Sequence, residues 1–361
     1  MLLRKLKKKM KKKILILTGV FFIATLLFVS CSRTEENVPL GEDTTEITVQ
    51  NFVRPASLRN QEIPFTVITQ TGVDVTAQAQ FYVDGQAIDG NVFFSSEVGD
   101  FEAYATYDLD GVSVTTTPEN FSVIIPKRKV VLEDYTGTWC GFCPSVAAAI
   151  EQASLQSDDL AIVAIHITAN SNPDPMHFDD VEILRDAFEI DGLPQARIDR
   201  SQFWFAPYFV SDALENAGSD TTSSVSFTSS LEGDQLITQV NVVSETGINP
   251  GDKLVVYLLE DGILYDQENY YNEDQTSPYF GLGNPIPNFE HNHTLRMSLS
   301  APLGDDIAGA GALEEYTVTY NSTIPADYVK ENLTLIAMYV SADNLAYNAQ
   351  VGPINDVVAY Q

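Results

Sequence analysis

The stretch from Val130 to Pro144 constrains the fold of this chain more than any other. Val130-Val131-Leu132 reads as a buried strand, and Cys143 to Leu155 carries helical spacing at Val146, Ile150 and Ala153, so Cys140 and Cys143 stand at the junction between them. Pro144 falls in the first helical turn, where the amide hydrogen it lacks has no partner to lose. Leu160 to Ile167 then reads as a strand, about Phe178 to Ile190 as a helix, Ala196 to Arg200 as a strand and Tyr208 to Ala217 as a closing helix. That alternation predicts an α/β layer fold.

The junction is also where thiol chemistry is expected. A thiolate attacks a disulfide, and the free amides and dipole of a helix N-terminus stabilise one placed just ahead of them, which favours Cys140 as the attacking sulfur. Two intervening residues bring Cys143 close enough to resolve a mixed disulfide. Trp139 either covers one side of such a site or packs as core. Zinc is the alternative for two cysteines at this spacing, but it needs two further ligands, and His166 and His177 fit no familiar finger or ribbon. Inert buried cysteines are the other alternative. Neither a metal nor a cofactor is expected.

Glu133-Asp134-Tyr135-Thr136-Gly137-Thr138-Trp139-Cys140-Gly141-Phe142-Cys143-Pro144 resembles the active-site stretch of thioredoxin-fold proteins. The resemblance implies that Cys140 is the nucleophile, Cys143 the resolving cysteine, Asp134 a buried carboxylate that helps move the resolving proton, and Pro194 a cis-proline lying against the sulfurs. The chain departs from that pattern in showing no strand and helix ahead of Val130 and no edge strand between Arg200 and Tyr208. The interval from Cys143 to Pro194 is also slightly long. Together with Gly192-Leu193-Pro194, Ile198-Asp199-Arg200 and Glu290-His291-Asn292-His293-Thr294-Leu295-Arg296, the same stretch resembles the Omp28-related outer membrane proteins of Bacteroidota, over roughly residues 127 to 361. Those are lipoproteins with a thioredoxin-like part followed by a β-rich part. The resemblance implies attachment to the outer membrane.

The rest of the chain divides around this segment. Residues 1–30 are a basic head and an apolar run, Ile14 to Val29, in the order of a secretory signal, and Leu27-Phe28-Val29-Ser30-Cys31 resembles a lipobox with Cys31 as the lipidation site. The first thirty residues hold eight of the 20 Lys+Arg and none of the 50 Asp+Glu, so the remainder carries 12 basic against 50 acidic residues, a formal net charge of −38. Such a surface excludes a nucleic-acid partner and leaves the lipid as the membrane attachment.

A tether over 31–44 leads to an N-terminal immunoglobulin-like β-sandwich over 45–126, with hairpin signals at Asp84-Gly85 and Asp110-Gly111. A central thioredoxin-like α/β domain occupies 127–218. A C-terminal β-sandwich fills 219–361, its clearest strands expected at Leu236 to Val243, Leu254 to Leu259, Tyr316 to Tyr320 and Leu333 to Val340. Within it, Tyr265 to Asn288 is a long segment rich in Tyr, Asn, Gly and Pro, a candidate contact surface. His291 and His293 would share one face of a strand running from Phe289 to Met297, and structural histidines are favoured there over a metal pair.

The expected function is thiol–disulfide exchange by a cell-envelope lipoprotein on the periplasmic or outer face of the outer membrane, with a thiol- or disulfide-bearing protein or a small thiol as partner. The alternative is a surface binding or adhesion lipoprotein that keeps the thioredoxin-like part as scaffold.

Overall fold

The computed structural model describes residues 47–49, 56–109, 111–169 and 171–361. The expected signal segment, the Cys31 lipidation site and the tether lie outside them. Among the described residues no helix is long and apolar enough to cross a membrane.

The N-terminal part consists of β1 (Ile47–Val49), β2 (Ala56–Leu58), β3 (Ile63–Val67), β4 (Gln80–Val83), β5 (Gln86–Ala87), β6 (Val92–Phe93), β7 (Gly99–Leu109), β8 (Val112–Thr115) and β9 (Glu119–Ile124). They form a three-stranded sheet, β1-β3-β6, and a six-stranded sheet, β2-β9-β7-β4-β5 with β8 on β7. The inward residues alternate along β7, where Ala103, Ala105 and Tyr107 are buried and their neighbours are not. Phe65, Phe81 and Phe121 fill the space between the sheets, with ring centroids 5.7 to 5.9 Å apart.

The central and C-terminal parts share one nine-stranded sheet. The central part contributes β10 (Val130–Thr136), α1 (Pro144–Ser154), β11 (Leu160–His166), α2 (Val181–Phe188), β12 (Gln195–Ile198), β13 (Gln202–Trp204) and α3 (Val210–Leu214). After it come β14 (Ser223–Glu232), β15 (Gln235–Ser244), β16 (Lys253–Glu260), β17 (Ile263–Gln267), β18 (Ile286–His291), β19 (Thr294–Ser298), β20 (Asp305–Asp306), β21 (Tyr316–Thr323), β22 (Leu333–Val340), β23 (Ala346–Pro353) and β24 (Val357–Val358). The order β13-β12-β10-β11-β19-β16-β22-β23 crosses residue 218 without a break, because β19 pairs in parallel with β11 at Ala164 and Thr294. A second sheet, β21-β15-β14-β24, packs on the C-terminal half.

Both faces of the large sheet are covered, which is why β10 is buried at every position. On one face α2 sets Val181, Leu184 and Phe188 against Val131, Val163 and Tyr257. On the other, α1 covers Leu132 and Ile162 with Val146 and Ile150, while Leu254, Val256 and Leu258 of β16 face Phe227 and Val240 of the second sheet.

Three sequence expectations differ from the structure. A strand between Arg200 and Tyr208 does exist, the three-residue β13, which pairs with β12 from Ala196↔Trp204 to Ile198↔Gln202; so short a run carries no periodicity to read. Phe289 to Met297 is not one strand: His293 has φ 56° and turns the chain between β18 and β19, so His291 and His293 do not alternate on a common face. The closing helix is five residues long rather than ten, because cis Ala206-Pro207 and the positive φ of Tyr208 hold the chain out of helix before Val210.

Candidate functional site

The turn between β10 and α1 is held by its own backbone. Cys140 N donates to Gly137 O at 2.9 Å, Cys143 N to Cys140 O at 3.1 Å, and Val146 N to Cys143 O at 3.0 Å. Cys143 caps α1 and Pro144 is its first residue. Cys140 and Cys143 are joined as a disulfide, 5% and 2% exposed. Trp139 is half-buried and donates its ring N–H to Ile167 O at 2.7 Å, so it fastens the turn to the end of β11. A side chain on Gly137 would sit 2.8 Å from that ring nitrogen, which explains the glycine. Asp174 completes the support, accepting from Thr138 N at 2.7 Å, Met176 N at 2.9 Å and His166 Nδ1 at 3.1 Å. Burial opposes its charge, but these bonds win and hold its carboxyl below the usual range.

Asp134 and Pro194 approach the turn from the strands. Asp134 is 3% exposed on β10, its Oδ1 has no hydrogen-bond partner, and burial pushes its carboxyl up to about 8. The Leu193–Pro194 peptide is cis, and the pairing of Tyr135 with Gln195 sets Pro194 at the level of Thr136, just before the turn. Leu193 and Gly192 share a surface cleft with Trp139.

A strap covers the turn from above. The strands β17 and β18 form a hairpin, and the segment joining them folds back over Cys140 to Cys143. Gln267 donates its amide to Gly137 O at 3.3 Å and to Cys140 O at 3.0 Å. Glu268 N donates to Thr138 O at 2.8 Å and Tyr270 N to Gly141 O at 2.9 Å. Phe142 lies edge-on to Tyr270 and Tyr271, at 5.0 and 6.1 Å between centroids. Asn269, fully buried, ties the strap to itself through Tyr279 O and Gly283 O. The segment singled out for its Tyr, Asn, Gly and Pro content therefore makes its contacts with the cysteine turn. Gln267 and Tyr270 could not be assigned to the site from sequence.

Beneath the strap, a cavity of about 280 Å³ lies between α1, β10, β11 and β18, lined by Asp134, Cys143, Glu151, His166, Glu290 and His291 among others. Cys140 is not among its lining residues. His291 is 6% exposed; its ring bonds the Tyr265 backbone, its Nε2 has no partner, and burial followed by the neighbouring His166 ring lowers it to about 4. The rings of His166 and His291 meet edge-on at 5.2 Å. His177 pairs with His166 in an isolated parallel bridge but does not line the cavity, and it accepts from Thr168 N through Nδ1 at 3.1 Å. Among the described residues no three His, Cys, Asp or Glu side chains are grouped to hold a metal ion.

The site spans two family matches, with the cysteine turn in one and the strap in the other. Residues 112–199 match the thioredoxin model, and residues 182–356 match outer membrane protein Omp28. A thioredoxin of Mycolicibacterium smegmatis is 34% identical over 92 residues, 25% of this chain and 82% of that protein. Among solved structures, HBP35 of Porphyromonas gingivalis aligns with a TM-score of 0.49 and 19% identity, over 64% of this chain and 77% of the other. The two matches overlap across α2, Pro194 and β12, the elements that join the cysteine turn to the shared sheet. The chain contains a thioredoxin domain, and over residues 182–356 it is similar to outer membrane protein Omp28.

Proposed function

We propose that this protein is a cell-envelope lipoprotein that exchanges disulfides through Cys140 and Cys143. The observation that carries the reading is the placement of Cys143 and Asp134 on one cavity, with the Asp134 carboxyl buried and unpaired at Oδ1. In the reduced pair, the thiolate of Cys140 attacks one sulfur of a substrate disulfide and the other sulfur leaves with the bond's electrons. Cys143 then attacks the Cys140 sulfur, freeing the second substrate thiol and closing the protein disulfide, so two electrons pass to substrate. Asp134, raised to about 8, titrates near an ordinary thiol and accepts the proton that Cys143 gives up. Trp139 adjoins the pair, and the cis Leu193–Pro194 bond, level with Thr136, supports a role for Pro194 in offering backbone to a bound substrate. Cys31, outside the described residues, is the proposed lipid anchor; the intact mass of the mature protein should show an acylated N-terminal cysteine.

A second reading, a binding or adhesion lipoprotein with an inert disulfide, is favoured by the strap and by the low exposure of both sulfurs. Cells carrying Cys143→Ser separate the two. Exchange predicts mixed disulfides trapped on Cys140 and reversible reduction of the purified pair by dithiothreitol. Absence of both, in protein shown to be folded, leaves the scaffold reading.

A further inference from the structure

We infer that the cavity beside Cys143 binds a small cationic thiol or its disulfide, an aminothiol, which exchanges with the pair at Cys143. This rests on the exchange reading and names its substrate class. Access comes first. The strap bonds Thr138, Cys140 and Gly141 through their carbonyls and meets Phe142 edge-on, so the face of the turn that a folded partner would approach is occupied. The cavity stays open, with exposed Glu151, Ser154, Glu290 and Asn292 around its mouth. At about 280 Å³ it falls just below the ~300–1,000 Å³ of sites for drug-sized ligands, which limits the occupant to a small molecule.

The lining then sets the charge. No Lys or Arg borders the cavity, whereas the carboxylates of Glu151 and Glu290 stand at its mouth. Tyr279, which also borders it, is raised to about 12 by burial first and then by Glu151 and Asp134, so those acids act on the same space. Inside, His291 Nε2 and Asp134 Oδ1 are buried acceptors without donors. An ammonium brings three donors and no acceptor, which suits an unpaired imidazole nitrogen or carboxyl oxygen; a carboxylate brings only acceptors. Leaving such groups unpaired is costly, so the empty valences favour a donor-rich ligand.

The exchange balances as follows. The aminothiol's thiolate attacks the Cys143 sulfur of the protein disulfide, and Cys140 leaves with the bond's electrons as thiolate. A second aminothiol thiolate attacks the ligand sulfur of the mixed disulfide, releasing the small disulfide and the Cys143 thiolate, which takes its proton from Asp134. Two thiols are oxidised and one protein disulfide is reduced; the reverse oxidises the protein.

The test compares cystamine with 3,3′-dithiodipropionate, a diacid disulfide of similar size, as oxidants of the reduced full chain. Each rate is divided by that of the same reagent on the chain unfolded in urea, which removes intrinsic reactivity. Cystamine should show a ratio about tenfold higher, the scale of one partly screened charge contact. Glu151→Gln with Glu290→Gln should narrow the gap, and cystamine should form its mixed disulfide, releasing one cysteamine, faster at Cys143 in Cys140→Ser than at Cys140 in Cys143→Ser. Equal ratios, or faster addition at Cys140, would overturn the inference while leaving exchange intact. If neither reagent oxidises the folded chain, the exchange reading fails instead. The site is then judged by the His291 ring resonances on adding unreactive 1,6-diaminohexane: a saturable shift that succinate does not produce keeps it, and no shift removes it.

Discussion

The side-chain amide of Gln267 donates to the backbone carbonyl of Cys140 at 3.0 Å across 127 residues of sequence. One residue of the β-rich part thus fixes the turn that carries the redox pair, and the neighbouring Tyr270 ring lies over Gly141.

Loosening the strap should expose Cys140. A Cβ at Gly141 would sit 2.4 Å from the Tyr270 ring, so Gly141→Ala must displace it, and Tyr270→Ala removes the ring outright. Both reduced variants should be alkylated by iodoacetamide several-fold faster than the parent, with unchanged far-ultraviolet circular dichroism. Unchanged rates would mean that the strap does not limit access to the thiol.

Asp134 should make the protein less stable as the pH rises. Its carboxyl is raised to about 8, so between the unfolded value near 4 and that point the folded state holds a proton the unfolded chain releases. The associated stability is complete below pH ~4 and lost by pH ~8, about 5 kcal/mol as an upper bound. Asp134→Asn should therefore gain on the parent steadily from pH 5 to 8 in urea denaturation of the oxidised protein. Parallel pH profiles would show that the carboxyl titrates normally.

His291 should act in the opposite sense. Its imidazole is lowered to about 4, so as the pH falls below ~6.5 the unfolded chain binds a proton that the folded one refuses. Stability is full above pH ~6.5 and is lost on the way to 4. His291→Gln should flatten the acid limb of the stability profile over that window, and a limb as steep as the parent's would place the acid sensitivity in another group.

Glu133 and Arg200 make an ion-pair contact at 3.1 Å with both side chains fully buried, although its angle is not that of a hydrogen bond. Arg200 extends to Tyr257 on β16, so the contact ties the thioredoxin part to the C-terminal part. Arg200→Met leaves the buried carboxylate without its ion-pair partner, with the Tyr135 hydroxyl still donating to it, and should cost about 3–5 kcal/mol, while Glu133→Gln with Arg200→Met should recover much of the loss. A double variant as unstable as the single would assign the cost to packing around Arg200 instead of to charge.

What could be read from sequence was local. Cys140 to Pro144 carry their meaning within one strand-to-helix turn, and Asp134 and cis Pro194 follow from the family likeness that the turn brings. Gln267, Tyr270 and His291 reach the site only through tertiary contacts over more than a hundred residues, and no spacing rule encodes these. Strand β14 was hidden for another reason: Ser224 and Ser226 are buried in it, and serine gives no hydrophobic alternation to detect. Ile198-Asp199-Arg200 was legible as a motif but not as a joint. Asp199 bonds Arg128 at 2.6 Å and Val131 N at 3.0 Å, and its carbonyl accepts from Ala346 N at 3.1 Å on β23.

The nine-stranded sheet is unevenly laced. Seven residue pairs join β10 to β11 and eight join β16 to β22, whereas β11 meets β19 at the single pair Ala164 and Thr294, with Ala164 N donating to His293 O at 2.8 Å. That one amide reports on the seam between the two halves of the molecule. Its hydrogen–deuterium exchange, set beside that of Val256 or Ile162, reads how often the halves part without either unfolding.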